Sequence, residues 1–280
     1  MHGLPPGPKI SDLLPALFEV DPPEVDPRDP LVYTGSLLRA YEVQLLPSVE
    51  RRVPGKPGYT ICEAFGGYSV LKKIATTKRA DYYKELWKAS GSFPSWIGTC
   101  RFSDLFERVL RLYGQTRFGD VVVKRDGERT ILSLNHLMGL MREGRVSTEM
   151  TPEEVGSAVV TVPKQEPITN AVIMMLANHI RRLFVEGKRG QFVSDRSVID
   201  FLFSPQRLEL AKTEPEKWLE GGVGELKQRQ AKQADWESIY DIAETLGDAP
   251  DDCVLTDGGK VVTRWDAVMK PWDAGKLTFQ

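Results

Sequence analysis

Between Tyr68 and Trp96, the cations Lys72, Lys73, Lys78, Arg79, Lys84 and Lys88 are interleaved with Tyr82, Tyr83 and Trp87. Cations that neutralise phosphates, set among rings that stack on bases, are what a protein needs to hold a single-stranded nucleic acid. The same stretch read as a helix puts Tyr83, Leu86 and Trp87 on one core-facing stripe and leaves the lysines simply solvated. A second basic cluster, Arg181, Arg182, Lys188 and Arg189, closes a long apolar stretch. It suits an anion, and it equally suits the negative end of a helix dipole.

Other chemistry is poorly supplied. There is no phosphate loop of the GxxxxGK[ST] kind, no HExxH, no GxSxG, and no GxGxxG after an expected strand. Gly221-Gly222-Val223-Gly224 reads as a flexible joint. His2, His136 and His179 have no acidic or cysteine partner at ligand spacing, so no metal is expected, and His136 and His179 read as structural. Ser69 and Lys72 match SxxK, but its companion KTG is missing. Cys62, Cys100 and Cys253 are odd in number and far apart, which excludes a disulfide framework and a structural zinc and fits a reducing compartment. The expectation is therefore a non-enzymatic protein with no cofactor.

The elements that would carry these groups read as mostly α with two small β-hairpins, around a long central helix at 167–186. Its face would be Ile168, Val172, Ile173, Leu176, Ile180, Leu183 and Phe184. Further helices are expected at 35–46, 102–113 and 134–141, from the Thr151-Pro152-Glu153-Glu154 capping box, and at 225–246. Asp126-Gly127 and Asp257-Gly258-Gly259 mark the two hairpin turns. No period of 20–50 residues repeats. The expected organisation is a proline-rich arm at 1–34, a basic helical subdomain at 35–148, a helical subdomain at 149–250, and a C-terminal hairpin and tail at 251–280.

Charge is segregated along the 280 residues although the net charge is only −2. Residues 31–147 carry +8 and residues 208–256 carry −7, while eight of the nineteen prolines lie in the first thirty residues. A stiff arm with Leu13, Leu14, Leu17 and Phe18 could latch onto a second copy, or fold back onto its own domain. Opposed charge stretches could face other molecules or neutralise one another within a subunit. The longest apolar run, Ala171–Ala177, is too short to cross a membrane, and the first thirty residues lack the features of a secretory signal. These features together lead to an intracellular structural or assembly protein of the capsid, nucleoprotein or matrix type. It would form homo-oligomers, with or without single-stranded nucleic acid enclosed, and peripheral contact to an acidic surface is left open. The alternatives are a monomeric nucleic-acid-binding module and an enzyme built from dispersed carboxylates and arginines.

Overall fold

The computed structural model describes residues 7–18, 25–26, 28–41, 45–52, 60–77, 81, 84, 86–88, 95–116, 119–246 and 252–280. A one-turn helix α1 (Ile10–Leu13) leads into four copies of one unit, in which a helix is followed by a two-stranded hairpin and a second helix. The first copy is α2 (Leu31–Ala40), β1 (Leu45–Arg52), β2 (Thr60–Gly66) and α3 (Gly67–Thr76). The second opens with an extra strand: β3 (Ser95–Arg101), α4 (Phe106–Thr116), β4 (Asp120–Arg125), β5 (Glu128–Ser133) and α5 (Leu134–Arg142). After β6 (Val146–Thr148) and α6 (Pro152–Val155), the third is β7 (Thr161–Val162), α7 (Ile168–Ala177), β8 (Arg182–Val185), β9 (Gln191–Ser194) and α8 (Asp195–Leu202). Then come α9 (Pro205–Thr213) and β10 (Arg229–Gln230). The fourth copy is β11 (Lys232–Gln233), α10 (Ile239–Thr245), β12 (Val254–Leu255), β13 (Val261–Val262) and α11 (Arg264–Asp273), and β14 (Leu277–Phe279) closes the chain.

Strands join neighbouring copies and helices join the pairs. The five-stranded sheet β1-β2-β3-β4-β5 fuses the first two copies, with β2 antiparallel and β4 parallel to β3. The third copy lies in β10-β9-β8-β7, the fourth in β11-β12-β13, and β14 pairs with β6. Helices α2 and α3 of the first copy pack on α7 and α8 of the third, around buried Leu38, Phe65, Leu71, Val172, Met175 and Val198. Helix α5 of the second copy packs on α10 and α11 of the fourth, around Leu137, Met141, Ile242 and Val268. The basic stretch 31–147 and the acidic stretch 208–256 thus meet inside one subunit, across an apolar core.

A mostly α chain with two small hairpins is therefore incorrect: the described residues hold fourteen strands in sheets of five, four, three and two. The expected central helix at 167–186 ends at Ala177, because Asn178 and a left-handed His179 (φ 53°) turn the chain into β8. The expected helix at 225–246 survives only as α10; Glu225 ends a one-turn 3-10 helix, and residues 226–238 run in extended, bent and irregular backbone. Pro47 does not stop a helix. It lies in β1, where the register slips between Pro47 and Glu50. The repeat escaped notice because its hairpin-to-helix junctions, Gly66, Ser133, Ser194 and Thr263, recur roughly every 65 residues, beyond the 20–50 window.

The arm folds onto its own domain. Ile10, Leu13 and Leu17 are buried among Phe106, Tyr113 and Met141. Arg145 donates to the carbonyls of Asp12 and Leu13, and the Arg125 guanidinium stacks 4.3 Å from the centre of the Phe18 ring.

Candidate functional site

Each copy places the start of its second helix at the inner end of its hairpin, and each start is built alike. The backbone N–H before the helix donates to a side chain three residues on: Gly66 to Ser69 (3.4 Å), Ser133 to His136 Nδ1 (3.1 Å), Ser194 to Ser197 (3.1 Å) and Thr263 to Asp266 (3.0 Å). These are capping positions that satisfy groups a helix end would otherwise leave bare. Burial pushes the His136 imidazole pKa below its usual value, which favours the neutral ring that can accept this bond. His136 is structural, as its place in the sequence suggests.

The first helical residue of the third copy, Asp195, is almost fully buried. Its carboxylate accepts from Arg181 Nε at 2.7 Å and from Arg181 Nη2, while its own N–H donates to the Arg181 carbonyl. Gly67, in the equivalent place of the first copy, lies against it: a β-carbon there would fall 2.6 Å from Asp195 Oδ2. Asp120 of the second copy is partly buried, and burial raises its carboxyl to about 6 against the lowering field of the Arg181 charge. Arg182 Nη2 donates to the carbonyl of Asp252, just before β12 in the fourth copy, at 3.3 Å. Residues of all four copies therefore gather about Arg181 and Arg182. Next to them, buried Arg196 donates to the carbonyls of Leu38 and Arg39 at the end of α2 and pairs with Asp200 at 3.0 Å, tying the third copy to the first.

At the far ends of the β8–β9 and β12–β13 hairpins, the two turns and β11 enclose a cleft of about 730 Å³. Its lining includes Lys188 and Arg189 of the β8–β9 turn, Asp235 after β11, Asp257 of the β12–β13 turn, and Phe184 and Leu255.

The expected binding residues fall in three places. Lys72 is exposed and Lys73 half-buried on α3, Lys84 lies 3.8 Å from Asp81, and Trp87 and Lys88 are exposed. Lys78, Arg79, Tyr82 and Tyr83 lie outside the described residues. Arg181 and Arg182 occupy the centre, and Lys188 and Arg189 occupy the cleft, so the second basic cluster divides between two sites at opposite ends of one hairpin. Sequence reasoning missed Gly67, Asp120 and Asp195. The available signal was the recurring hairpin-to-helix junction, whose alignment would have placed Gly67 and Asp195 at matching positions. No group of three or more His, Cys, Asp or Glu side chains among the described residues could hold a metal ion.

The fold is of the CBS-domain type. Protein MJ1225 from Methanocaldococcus jannaschii, described as a candidate archaeal homologue of g-AMPK, superposes with a TM-score of 0.76 at 12% identity, covering 95% of this chain and 100% of that one. The CBS-domain containing protein ATU1752 from Agrobacterium tumefaciens aligns at a TM-score of 0.37 and 16% identity, over 50% of this chain and 97% of its own. CBSX2, solved in complex with AMP, aligns at 0.36 and 16%, over 49% of this chain and 98% of its own. Neither a protein-family model nor a curated protein matches the sequence.

This fold overturns the expectation of a capsid, nucleoprotein or matrix-type assembly protein, and lends nothing to a viral or nucleic-acid-binding role. Among the described residues no helix is long and apolar enough to cross a membrane.

Proposed function

We propose that the chain is a regulatory module that binds an adenine nucleotide at its polar centre, with Arg181 and Arg182 facing the phosphate. One observation carries this function: Arg181 holds Asp195, against which Gly67 lies, its charge lowers the Asp120 carboxyl, and Arg182 donates to the Asp252 carbonyl, so residues of all four copies bear on the pair. A ligand seated there touches several copies at once. Its binding free energy can then bias their arrangement, which is what a regulatory effector requires. Asp195 fixes the Arg181 guanidinium before any ligand arrives, which reduces the ordering cost of binding. The overall likeness to MJ1225 supports a module of this class. A nucleotide effector suits an intracellular setting, as do Cys100 and Cys253, which are buried and join no disulfide among the described residues.

Isothermal titration with AMP tests it. The chain should bind, and Arg181→Gln/Arg182→Gln should weaken binding roughly ten- to hundredfold, as expected for losing charge-assisted hydrogen bonds. Loss of folding is monitored by circular dichroism. Wild-type affinity in the folded double variant, or no binding of AMP, ADP or ATP to the native chain, would overturn the proposal.

A further inference from the structure

Helix α2 has two unlike faces. Leu31, Thr34, Gly35 and Leu38 are buried where α2 packs on α8 and β1. Tyr33 and the C-cap Tyr41 are exposed, by 51% and 59%, with half-buried Leu37 and exposed Ala40 between them. Positions 33, 37, 40 and 41 fall on one stripe of a helix, and eight residues span about 12 Å of its axis. Large rings left in the open along such a stripe mark a contact face. The last turn of the same helix ends among cations. Buried Arg196 of α8 donates to the carbonyls of Leu38 and Arg39 and pairs with Asp200 at 3.0 Å. Ser197, the next residue, donates to the Lys227 carbonyl at 2.7 Å, and Arg229 follows in β10. Burial raises the Asp200 carboxyl, against the lowering fields of Arg196, Lys227, Arg39 and Arg229. Cations from three parts of the chain therefore act on a single half-buried carboxylate. Arg39 and Lys227 are exposed, and neither joins an ion pair among the described residues.

The two features meet at Arg39, two residues before Tyr41. We infer that the outward face of α2 docks an acidic amphipathic helix of another protein, with its apolar stripe on Tyr33, Leu37 and Tyr41 and its carboxylates toward Arg39, Lys227 and Arg229. A stripe of about 12 Å is longer than a single phosphate or carboxylate needs, and suits the recurring side chains of a docked helix. Aliphatic Leu37 and Ala40 between the rings offer no platform on which successive bases could stack. Cations at the edge of an apolar face steer an acidic partner and reject a basic one, an effect that salt screens. The surface is distinct from the polar centre but shares α8 with it, since Arg196 follows Asp195.

Fluorescence anisotropy tests this with a labelled synthetic amphipathic helix of leucine and glutamate, titrated with the full chain. A helix of the same pattern in leucine and lysine is the control. The glutamate helix should bind, more weakly as salt rises, and the lysine helix should not. Tyr33→Ala/Tyr41→Ala and Arg39→Gln/Lys227→Gln should each weaken binding roughly tenfold or more. Lys72→Gln, at an exposed position of α3, should leave it unchanged. The substituted side chains are all exposed, and circular dichroism checks that each variant is folded. No binding, native affinity in either folded double variant, or an equal loss in Lys72→Gln overturns the inference. A native chain that sediments as a dimer and becomes a monomer in Tyr33→Ala/Tyr41→Ala also overturns it, because a second copy would then cover the face. Displacement of the glutamate helix by oligo(dT) does the same, by making the surface a nucleic-acid site. None of these readouts uses AMP, so the inference and the central nucleotide site can fail separately.

Discussion

Gly67 and Asp195 face each other so closely that one methyl group on the glycine would reach within 2.6 Å of the aspartate Oδ2. The two residues open matching helices in the first and third copies, so the smallest side chain in one copy makes room for a buried carboxylate in the other. Asp195 in turn holds Arg181. Gly67→Ala should therefore cost about 1–3 kcal/mol, typical of overpacking, because the carboxylate cannot retreat without releasing the arginine. Urea unfolding measures the loss, and AMP titration should show weakened central binding in the same variant. An alanine as stable as the native chain would mean that the two helices part easily.

Asp120 gives the centre a pH signature. Its carboxyl is raised to about 6 in the folded chain against 3.8 unfolded, chiefly by burial, with Arg181 pulling the other way. Between those values the folded state holds more protons than the unfolded one, so this residue's contribution to stability declines as pH rises from about 4 to about 6 and is flat above. Asp120→Asn removes the penalty. It should unfold at higher denaturant than the native chain at pH 8, by about 1–3 kcal/mol, and the difference should vanish below pH 4. Chemical denaturation at pH 4, 6 and 8 is the measurement, and a constant difference across all three would rule out this titration.

The parts of the fold legible in the sequence were those with strong local signals. Asp126-Gly127 accepts left-handed backbone at both residues (φ 50° and 92°), and its hairpin formed as expected. Helix α4 was visible because Phe106, Val109, Leu110 and Tyr113 recur at helical spacing and are all buried. In the fourth copy the Asp257-Gly258-Gly259 turn announced the β12–β13 hairpin, whereas the third copy was hidden because its strands are only two to four residues long, too short for alternation to declare itself. Ile180, Leu183 and Phe184 fit a helical stripe as well as a strand, and His179 gives no warning of positive φ. The cations Arg181 to Arg189 read as one cluster, but composition could not show that a hairpin carries its halves to opposite ends.

The sequence left open whether the arm latches onto a second copy or folds back onto its own domain. Burial of Ile10 and Leu13 beside Phe106 makes it part of the core. Ile10→Ala and Leu13→Ala should each cost about 2–5 kcal/mol by transfer and cavity terms. Arg145→Ala, which strips two carbonyls of their donor, should cost less, about 1–3 kcal/mol. Thermal and urea unfolding of the three variants would decide it. Native stability in all three would return the arm to the status of a loose appendage.

Cys100 reports on opening of the second copy. Its thiol sits in the core between β3 and β4, contacts the Val122 carbonyl at 3.8 Å, and is pushed up to about 12 by burial, with Asp104 adding to the rise. Since the thiolate is the reactive form, a native chain at pH 8 should label at Cys100 only when the sheet opens. Labelling by a neutral disulfide reagent, located by mass spectrometry, should be slow in buffer and fast in denaturing urea. AMP should slow it further if the centre is the effector site, because Asp120 opens strand β4 and a ligand there favours the closed state. Rapid labelling of Cys100 in buffer would show that this strand pair opens far more freely than its packing implies.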